Sequence, residues 1–288
     1  MMRVADRVRP MSVVSEQFVA QLVSIVGREN VISRPEDLLV YECDAYTLEK
    51  NLPNVVVLPN STEEVARVVK ACAAAKVPII PRGAGTSLSG AVLAVEGGVM
   101  IALTRMNRIL GVDVENRRAL VEAGCVNAWI TQAVREHGLY YAPDPSSQSA
   151  CTIGGNVATN SGGPHTLKYG VTTNHVLGFE MVLPNGEVVW LGTTPEGGED
   201  VPGYDLRGAV IGCEGMFGVV TRVLVKLIRA PEAYKTMLGV FESVSQASKT
   251  VSDIIAAGIV PGALEMMDQL ITQAVEAAYQ FGFPLDAG

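Results

Sequence analysis

The chain is 288 residues long, 48% of them hydrophobic, and carries a formal net charge of −8 with a mean hydropathy of +0.27. That length can fill a core in one large domain or two, and no apolar run approaches the roughly 18 residues of a membrane span. The acidic balance without a basic cluster argues against a nucleic-acid partner. Five cysteines (Cys43, Cys72, Cys125, Cys151, Cys213) without Cys-x-x-Cys spacing argue against an iron–sulfur cluster or structural zinc and for reduced thiols.

The N-terminal stretch has arginines but no apolar h-region, so it reads as a frayed lead-in to a cytoplasmic chain. Phe18, Leu22, Ile25 and Val26 recur at helical spacing within Ser15–Gly27, with Gly27 placed to stop the helix. Val55–Leu58 reads as a buried strand. Ser61-Thr62-Glu63-Glu64 is a capping box for a helix to about Lys76, and strand Val77–Ile80 completes a β-α-β unit. Val99–Leu103 and Ala119–Glu122 read as strands and Val126–His137 as an amphipathic helix. A second α/β subdomain is expected from about Tyr140.

Residues 143–163 form a small, polar tract too long for an idle connection. Val176–Leu183, Asn185-Gly186 and Glu187–Leu191 predict a hairpin on a tight type I′ turn, paired with a later strand Gly218–Ile228. Thr193–Tyr204 reads as a loop and Asp205–Val210 as one or two helical turns. From Pro231 the pattern predicts strand Met237–Phe241, helix Val244–Ala257, a stretch Ile259–Met267 and a last helix to about Gln280.

The stretch Pro81–Gly90, PRGAGTSLSG, leaves a predicted strand and carries Gly83, Gly85 and Gly90 among Ala84, Thr86, Ser87 and Ser89. Such a loop can bring several backbone N–H groups to one phosphate, although most glycine-rich loops are plain surface loops. It lacks the Gly-Lys-Ser/Thr ending of a P-loop, which also weakens a kinase reading. Leu88 stands where a dinucleotide fingerprint begun at Gly83 needs its last glycine. Arg82 is placed to meet a pyrophosphate or to serve as a surface cation.

Thr152, Gly154, Gly155, Asn156, Asn160, Ser161, Gly162 and Gly163 are small enough to admit a flat ring against the backbone, with the two asparagine amides able to pair with ring heteroatoms. A tight helix packed on a sheet is the plainer reading. Glu214, Gly215, Gly218, Val219 and Val220 form a turn into a buried strand, with close backbone approach or a β-bulge as alternatives.

Together with YECD (Tyr41–Asp44), YYAPDPSSQ (Tyr140–Gln148), LKYG (Leu167–Gly170) and LEMMD (Leu264–Asp268), these motifs resemble the vanillyl-alcohol oxidase/p-cresol methylhydroxylase (PCMH-type) flavoproteins. The nearer resemblance is to their FAD-linked 2-hydroxyacid dehydrogenase branch, which includes the catalytic subunit of bacterial glycolate oxidase and D-lactate dehydrogenases. The resemblance implies an α+β chain. A helical lead-in (1–50) precedes a PCMH-type FAD-binding domain (51–230) of two α/β subdomains, about 51–139 and 140–230, and then the beginning of a C-terminal α/β cap (231–288).

It also implies that residues 82–90, from Pro81 and Arg82 through Gly90, hold the FAD pyrophosphate. Pro143, Asp144, Ser147, residues 152–163, Tyr169, Gly170 and residues 214–220 then flank the rest of the cofactor. With no histidine in the loop the FAD is expected to be non-covalent. The implied reaction is hydride transfer from a glycolate or D-lactate Cα to flavin N5, with companion FAD and iron–sulfur subunits or a quinone as implied partners and peripheral placement at the inner membrane through them. The family's His-rich motif has no counterpart here: His137, His165 and His175 are not paired at ligand spacing and read as structural or exposed. A truncated form, a fragment or one piece of a split enzyme is therefore expected, with its catalytic residues elsewhere, or else a non-catalytic FAD-binding subunit.

Overall fold

Ser15 accepts the Phe18 N–H at 3.2 Å and starts α1 (Glu16–Val26), whose Phe18, Leu22 and Val26 turn inward. In the computed structural model residues 14–197 and 203–286 are described; most of the N-terminal lead-in and residues 198–202 of the predicted 193–204 loop lie outside them. β1 (Val31–Ile32), α2 (Pro35–Leu38) and the fully buried β2 (Val55–Val57) follow. Ser61 caps α3 (Thr62–Ala75) through the Glu64 N–H, while Glu64 Oε2 accepts from the Asn60 N–H at 2.8 Å, one residue before the position a standard capping box uses.

β3 (Ile79–Arg82) and β4 (Val99–Ala102) are both parallel members of a four-stranded sheet ordered β1-β2-β4-β3. The predicted β-α-β unit exists, but β4 stands between its two strands. The two wholly buried strands, β2 and β4, take the interior, and β3 takes an edge, where the missing N–H of Pro81 breaks no ladder. The strand runs two residues further than expected, so Pro81 and Arg82 belong to β3 and pair with Ile101 and Ala102.

A second, antiparallel sheet is ordered β5-β6-β10-β8-β9. Its first strands, β5 (Ile109–Asp113) and β6 (Arg118–Glu122), precede α4 (Asn127–Val134), β7 (Leu139–Tyr140), α5 (Ile153–Thr159) and α6 (Thr166–Tyr169). Then come β8 (Val176–Val182), β9 (Val188–Gly192), α7 (Leu206–Val210), β10 (Val219–Lys226) and β11 (Ile228–Arg229), which pairs with β7. β10 is paired on both edges, with β6 and β8. The second sheet thus crosses the division expected at 139/140, because the apolar β10 completes its ladder with a strand from earlier in the chain.

The β8–β9 hairpin and its β10 partner stand as predicted, but the turn differs. Leu183 and Glu187 close a three-residue connection, Pro184-Asn185-Gly186, in which only Gly186 is left-handed (φ +78). Proline's fixed φ suits the first central position of that longer connection, and Asn185 Oδ1 accepts from the Glu187 N–H at 2.9 Å.

Three apolar clusters fill the space around the two sheets, and all of their members lie between Val14 and Leu227. Beyond them, α8 (Val244–Ala256) and α9 (Gln269–Tyr279) form as expected, capped by Ser243 and Asp268. The strand predicted at 237–241 does not form. Among the described residues it has no ladder partner, and Met237 is 91% exposed.

Candidate functional site

β3 delivers the chain into the Gly83–Gly90 loop, whose backbone from Gly83 to Ser87 is half-buried. Among the described residues, the N–H groups of Ala84, Gly85, Thr86 and Ser87 donate to no protein acceptor. Four such donors beside the Thr86 and Ser87 hydroxyls suit an anion with several oxygens. The loop forms one wall of a groove, with Pro81, Gly83, Ala84, Gly85, Thr86 and Ser87 on that side. The other wall is α5 and its approach, through Thr152, Gly155, Asn156 and Ala158, with Ser147, Ser161 and Glu214 also in the lining. A second depression shares Pro81, Gly83, Gly155 and Glu214 with the first and is also lined by Arg82, Gly154, Gly215, Gly218, Val219 and Val220.

The loop glycines have a packing reason as well as a ligand reason. A Cβ on Gly83 would strike Thr152 Oγ1 and lie 3.7 Å from Gly155 Cα, so the loop rests directly on the start of α5. Gly85 has φ +70, and a Cβ there would run into the Arg82 guanidinium. At Gly155 the nearest obstacle is Thr152 Oγ1 at 3.3 Å. Gly155 and Ala158, one helical turn apart, therefore leave the groove a smooth floor.

Arg82 departs from its expected role. Its guanidinium is turned under the loop, donating from Nη1 to Cys43 O at 2.9 Å and lying 5.6 Å from the Tyr41 ring centroid. Burial lowers its pKa, an effect partly offset by Asp44. The asparagines are also committed: Asn156 Nδ2 donates to Asn127 Oδ1 at 2.9 Å, and Asn160 Oδ1 accepts both the N–H and the hydroxyl of Thr173 at 2.9 Å. These bonds tie neighbouring segments together, and Asn156 also lines the groove.

Other predicted positions shape the surroundings without lining the groove. Pro143 O accepts from Asn127 Nδ2, Gly163 N–H donates to Thr166 Oγ1, and an added Cβ on Gly162 would press on Thr166 Oγ1. Tyr169 stacks edge-on to Tyr140 with centroids 6.2 Å apart, Gly170 N–H closes α6 on Thr166 O, and Gly90 packs near Leu93 and Tyr46. Asp144 Oδ2 accepts from His165 Nδ1 at 2.6 Å, a pair that sequence spacing did not reveal. His175 is buried, which lowers its pKa, and donates from Nε2 to Tyr169 O; His137 lies 3.6 Å from Glu136. Sequence reasoning missed Ala91 and Val92, just past the predicted loop, which line the groove together with Cys151 and Thr159 of the predicted 143–163 tract. Among the described residues no cluster of three or more His, Cys, Asp or Glu could hold a metal, and no helix is long and apolar enough to cross a membrane.

Unpaired N–H donors beside a floor without bulky side chains fit a cofactor with an anionic pyrophosphate and a flat ring. Residues 53–192 match a family described as FAD binding domain, and residues 230–288 one described as FAD linked oxidases, C-terminal domain. Glycolate oxidase subunit GlcD of Escherichia coli (strain K12) is 46% identical over 257 residues, which cover 89% of this chain and 51% of that protein. GlcD of Bacillus subtilis (strain 168) is 41% identical over 95% of this chain and 58% of its own length. D-lactate dehydrogenase of Anaerostipes hadrus is 40% identical over 79% of this chain and 47% of its own. The chain thus spans about half the length of these curated relatives. Among solved structures, alkyldihydroxyacetonephosphate synthase superposes with a TM-score of 0.78 at 25% identity, covering 91% of this chain and 49% of that one. p-Cresol methylhydroxylase does so with 0.73 at 24% identity, covering 83% and 48%.

Proposed function

Because the chain belongs to the PCMH-type FAD-linked oxidase family, we propose that it is the FAD-binding chain of a 2-hydroxyacid dehydrogenase, holding the cofactor non-covalently and serving glycolate or D-lactate oxidation. The observation that carries this reading is that the N–H groups of Ala84–Ser87 have no protein acceptor among the described residues, in a loop that lines the groove with the small residues of α5. These N–H groups and the Thr86 and Ser87 hydroxyls hold the pyrophosphate. Gly155, Ala158, Ser147 and Ser161 give the remainder of the cofactor room, and residues 214–220 border its other end. When bound, FAD supplies a hydride acceptor at N5 for the substrate Cα, with the electrons leaving for a partner subunit or quinone.

Non-covalent binding has support in the groove itself. No histidine lies in the loop, and burial raises the pKa of Cys151, the thiol beside Thr152 in the α5 wall, which keeps it protonated and a poor nucleophile. The substrate class follows the relatives named for glycolate and D-lactate. A second reading, an FAD-binding subunit without catalysis of its own, is favoured by one fact: among the described residues no histidine lines either part of the groove.

Titrating flavin-free protein with FAD, FMN and riboflavin tests the first part. FAD should bind far more tightly than riboflavin, and equal affinities would remove the pyrophosphate assignment. Anaerobic mixing of the FAD complex with glycolate or D-lactate separates the two readings. Bleaching of the flavin band supports the dehydrogenase, and stable yellow colour with either acid supports the binding subunit.

A further inference from the structure

Tyr41–Tyr46 lines neither part of the groove, yet the segment meets the underside of the anion loop at several points. Arg82, 8% exposed, donates to Cys43 O at 2.9 Å and stands over the Tyr41 ring. Asp44, 5% exposed, accepts the Tyr46 N–H at Oδ1 and leaves Oδ2 buried without a partner. At the far end of the loop, a Cβ on Gly90 would come within 3.4 Å of the Tyr46 ring.

A guanidinium this buried needs a compensating charge and a surface to lie on. Cys43 O accepts one of its N–H groups, the Tyr41 face supplies the surface, and Asp44 offsets part of the burial through its charge without an ion pair to the guanidinium. Gly85, bare of a side chain, settles directly on the guanidinium. The planar cation is therefore gripped from below by residues 41–44 and carries the loop above it. Its upper neighbours, Ala84–Ser87, are left with their N–H groups free of protein acceptors.

We propose that Tyr41–Tyr46 is a cradle that sets the conformation of the 83–90 loop through Arg82, making Tyr41, Asp44 and Arg82 positioning residues and not phosphate contacts. Its consequence for cofactor affinity rests on the FAD reading above. A lysine at 82 lacks the flat fork that reaches Cys43 O while lying on Tyr41. The loop then samples other conformations even with no ligand present.

The test uses the full chain with Tyr41→Leu, Tyr41→Phe, Arg82→Lys and the Tyr41→Leu/Arg82→Lys pair. Two quantities are read: FAD affinity of the flavin-free protein, and amide hydrogen exchange without FAD at Leu93 and Leu103, whose N–H groups bond to Gly90 O and Arg82 O at the two ends of the loop. Tyr41→Leu and Arg82→Lys should each weaken FAD and quicken exchange about tenfold, the size of one desolvated cation–π contact. The double variant should be no worse than Arg82→Lys alone, since both act through one strut. Tyr41→Phe, which keeps the ring, should match the parent in both readouts.

Parent-like behaviour of Tyr41→Leu beside a loss in Arg82→Lys would overturn the cradle and return Arg82 to direct phosphate contact. Additive losses in the double variant would overturn it too. If the parent binds no FAD, the FAD reading fails while the exchange measurement still decides the cradle. Should Arg82→Lys not fold, Tyr41→Leu carries the test: faster exchange at Leu93 and Leu103 supports the cradle, and unchanged exchange rejects it.

Discussion

Helices α3 and α8 start from the same local chemistry and end in different surroundings. Each is capped by a serine whose hydroxyl accepts the N–H three residues on, at 3.3 Å, and each repeats apolar residues at helical spacing. In α3, Val65, Val68, Val69 and Cys72 are fully buried against the first sheet. In α8 no residue is buried, and from 231 to 286 Thr272 is the one buried side chain among the described residues. Capping and periodicity make a helix, and burial requires a sheet on which to lay it. The first-sheet strands under α3 close ladders with one another, Val55 and Ile79 both pairing with Val99, whereas among the described residues 237–241 closes none.

The sharpest way to break this contrast is through the glycines. Gly83→Val and Gly85→Val should abolish flavin retention, read as the flavin-to-protein absorbance ratio, because both added side chains collide with groove-supporting groups and Gly85 also has φ +70. Gly258→Val, which meets the same backbone strain at φ +78 but has nothing within 4 Å of the added atom, should retain the parent's flavin content. Equal losses at 85 and 258 would mean that the loop has no special part.

Next in size is the core. Phe179→Ala, fully buried on β8 of the second sheet, should cost about 3–5 kcal/mol in urea unfolding. Ile255→Ala on α8, where the side chain is 40% exposed, should cost less than about 0.5 kcal/mol. Comparable costs would show that α8 packs against something as well ordered as the sheets. Capping sharpens the same point. Ser61→Ala should lower global stability by about 1 kcal/mol, while Ser243→Ala should reduce helical circular dichroism and leave the main urea midpoint in place.

The smallest effect is electrostatic and sits at the β5–β6 turn. The Asn116 backbone N–H, then the Asn116 side chain and Arg118, hold the Asp113 pKa down to about 2 against an ordinary 3.8. A depressed folded pKa stabilises the fold above the unfolded value and loses that contribution as pH falls through the folded one. Urea midpoints should therefore decline between about pH 4 and pH 2 partly through this residue, since the ordinary and the folded Asp113 values bound that window. In Asp113→Asn that part of the slope should vanish; an unchanged slope would place the acid sensitivity elsewhere.

Much of the helical structure could be read from local residues. Ser15, Ser61, Ser243 and Asp268 cap within three residues of themselves, and a cap followed by periodic apolar residues needs no distant partner. The strands were visible as apolar runs, but their neighbours were not: nothing near Val99 says that β4 will separate β2 from β3. The candidate site divides in the same way. Its small residues were legible because a groove that admits backbone must be built from Gly, Ala, Ser and Thr. The direction of Arg82, the Asp144–His165 pair and the bonds from Thr173 to Asn160 join segments 13 to 39 residues apart, and so were not.

The sequence by itself determined that a glycine-rich loop follows a strand, that its motifs are those of an FAD-binding chain, and where most helices begin. Those are statements about composition over short windows, where hydrogen bonds and dihedral preferences act between near neighbours. Tertiary structure decided which strand lies beside which, that Pro81 and Arg82 finish an edge strand, and that Arg82 supports the loop from beneath. A buried charge goes where a ring and a carboxylate can receive it, and Tyr41 and Asp44 come to that place only when the chain has folded.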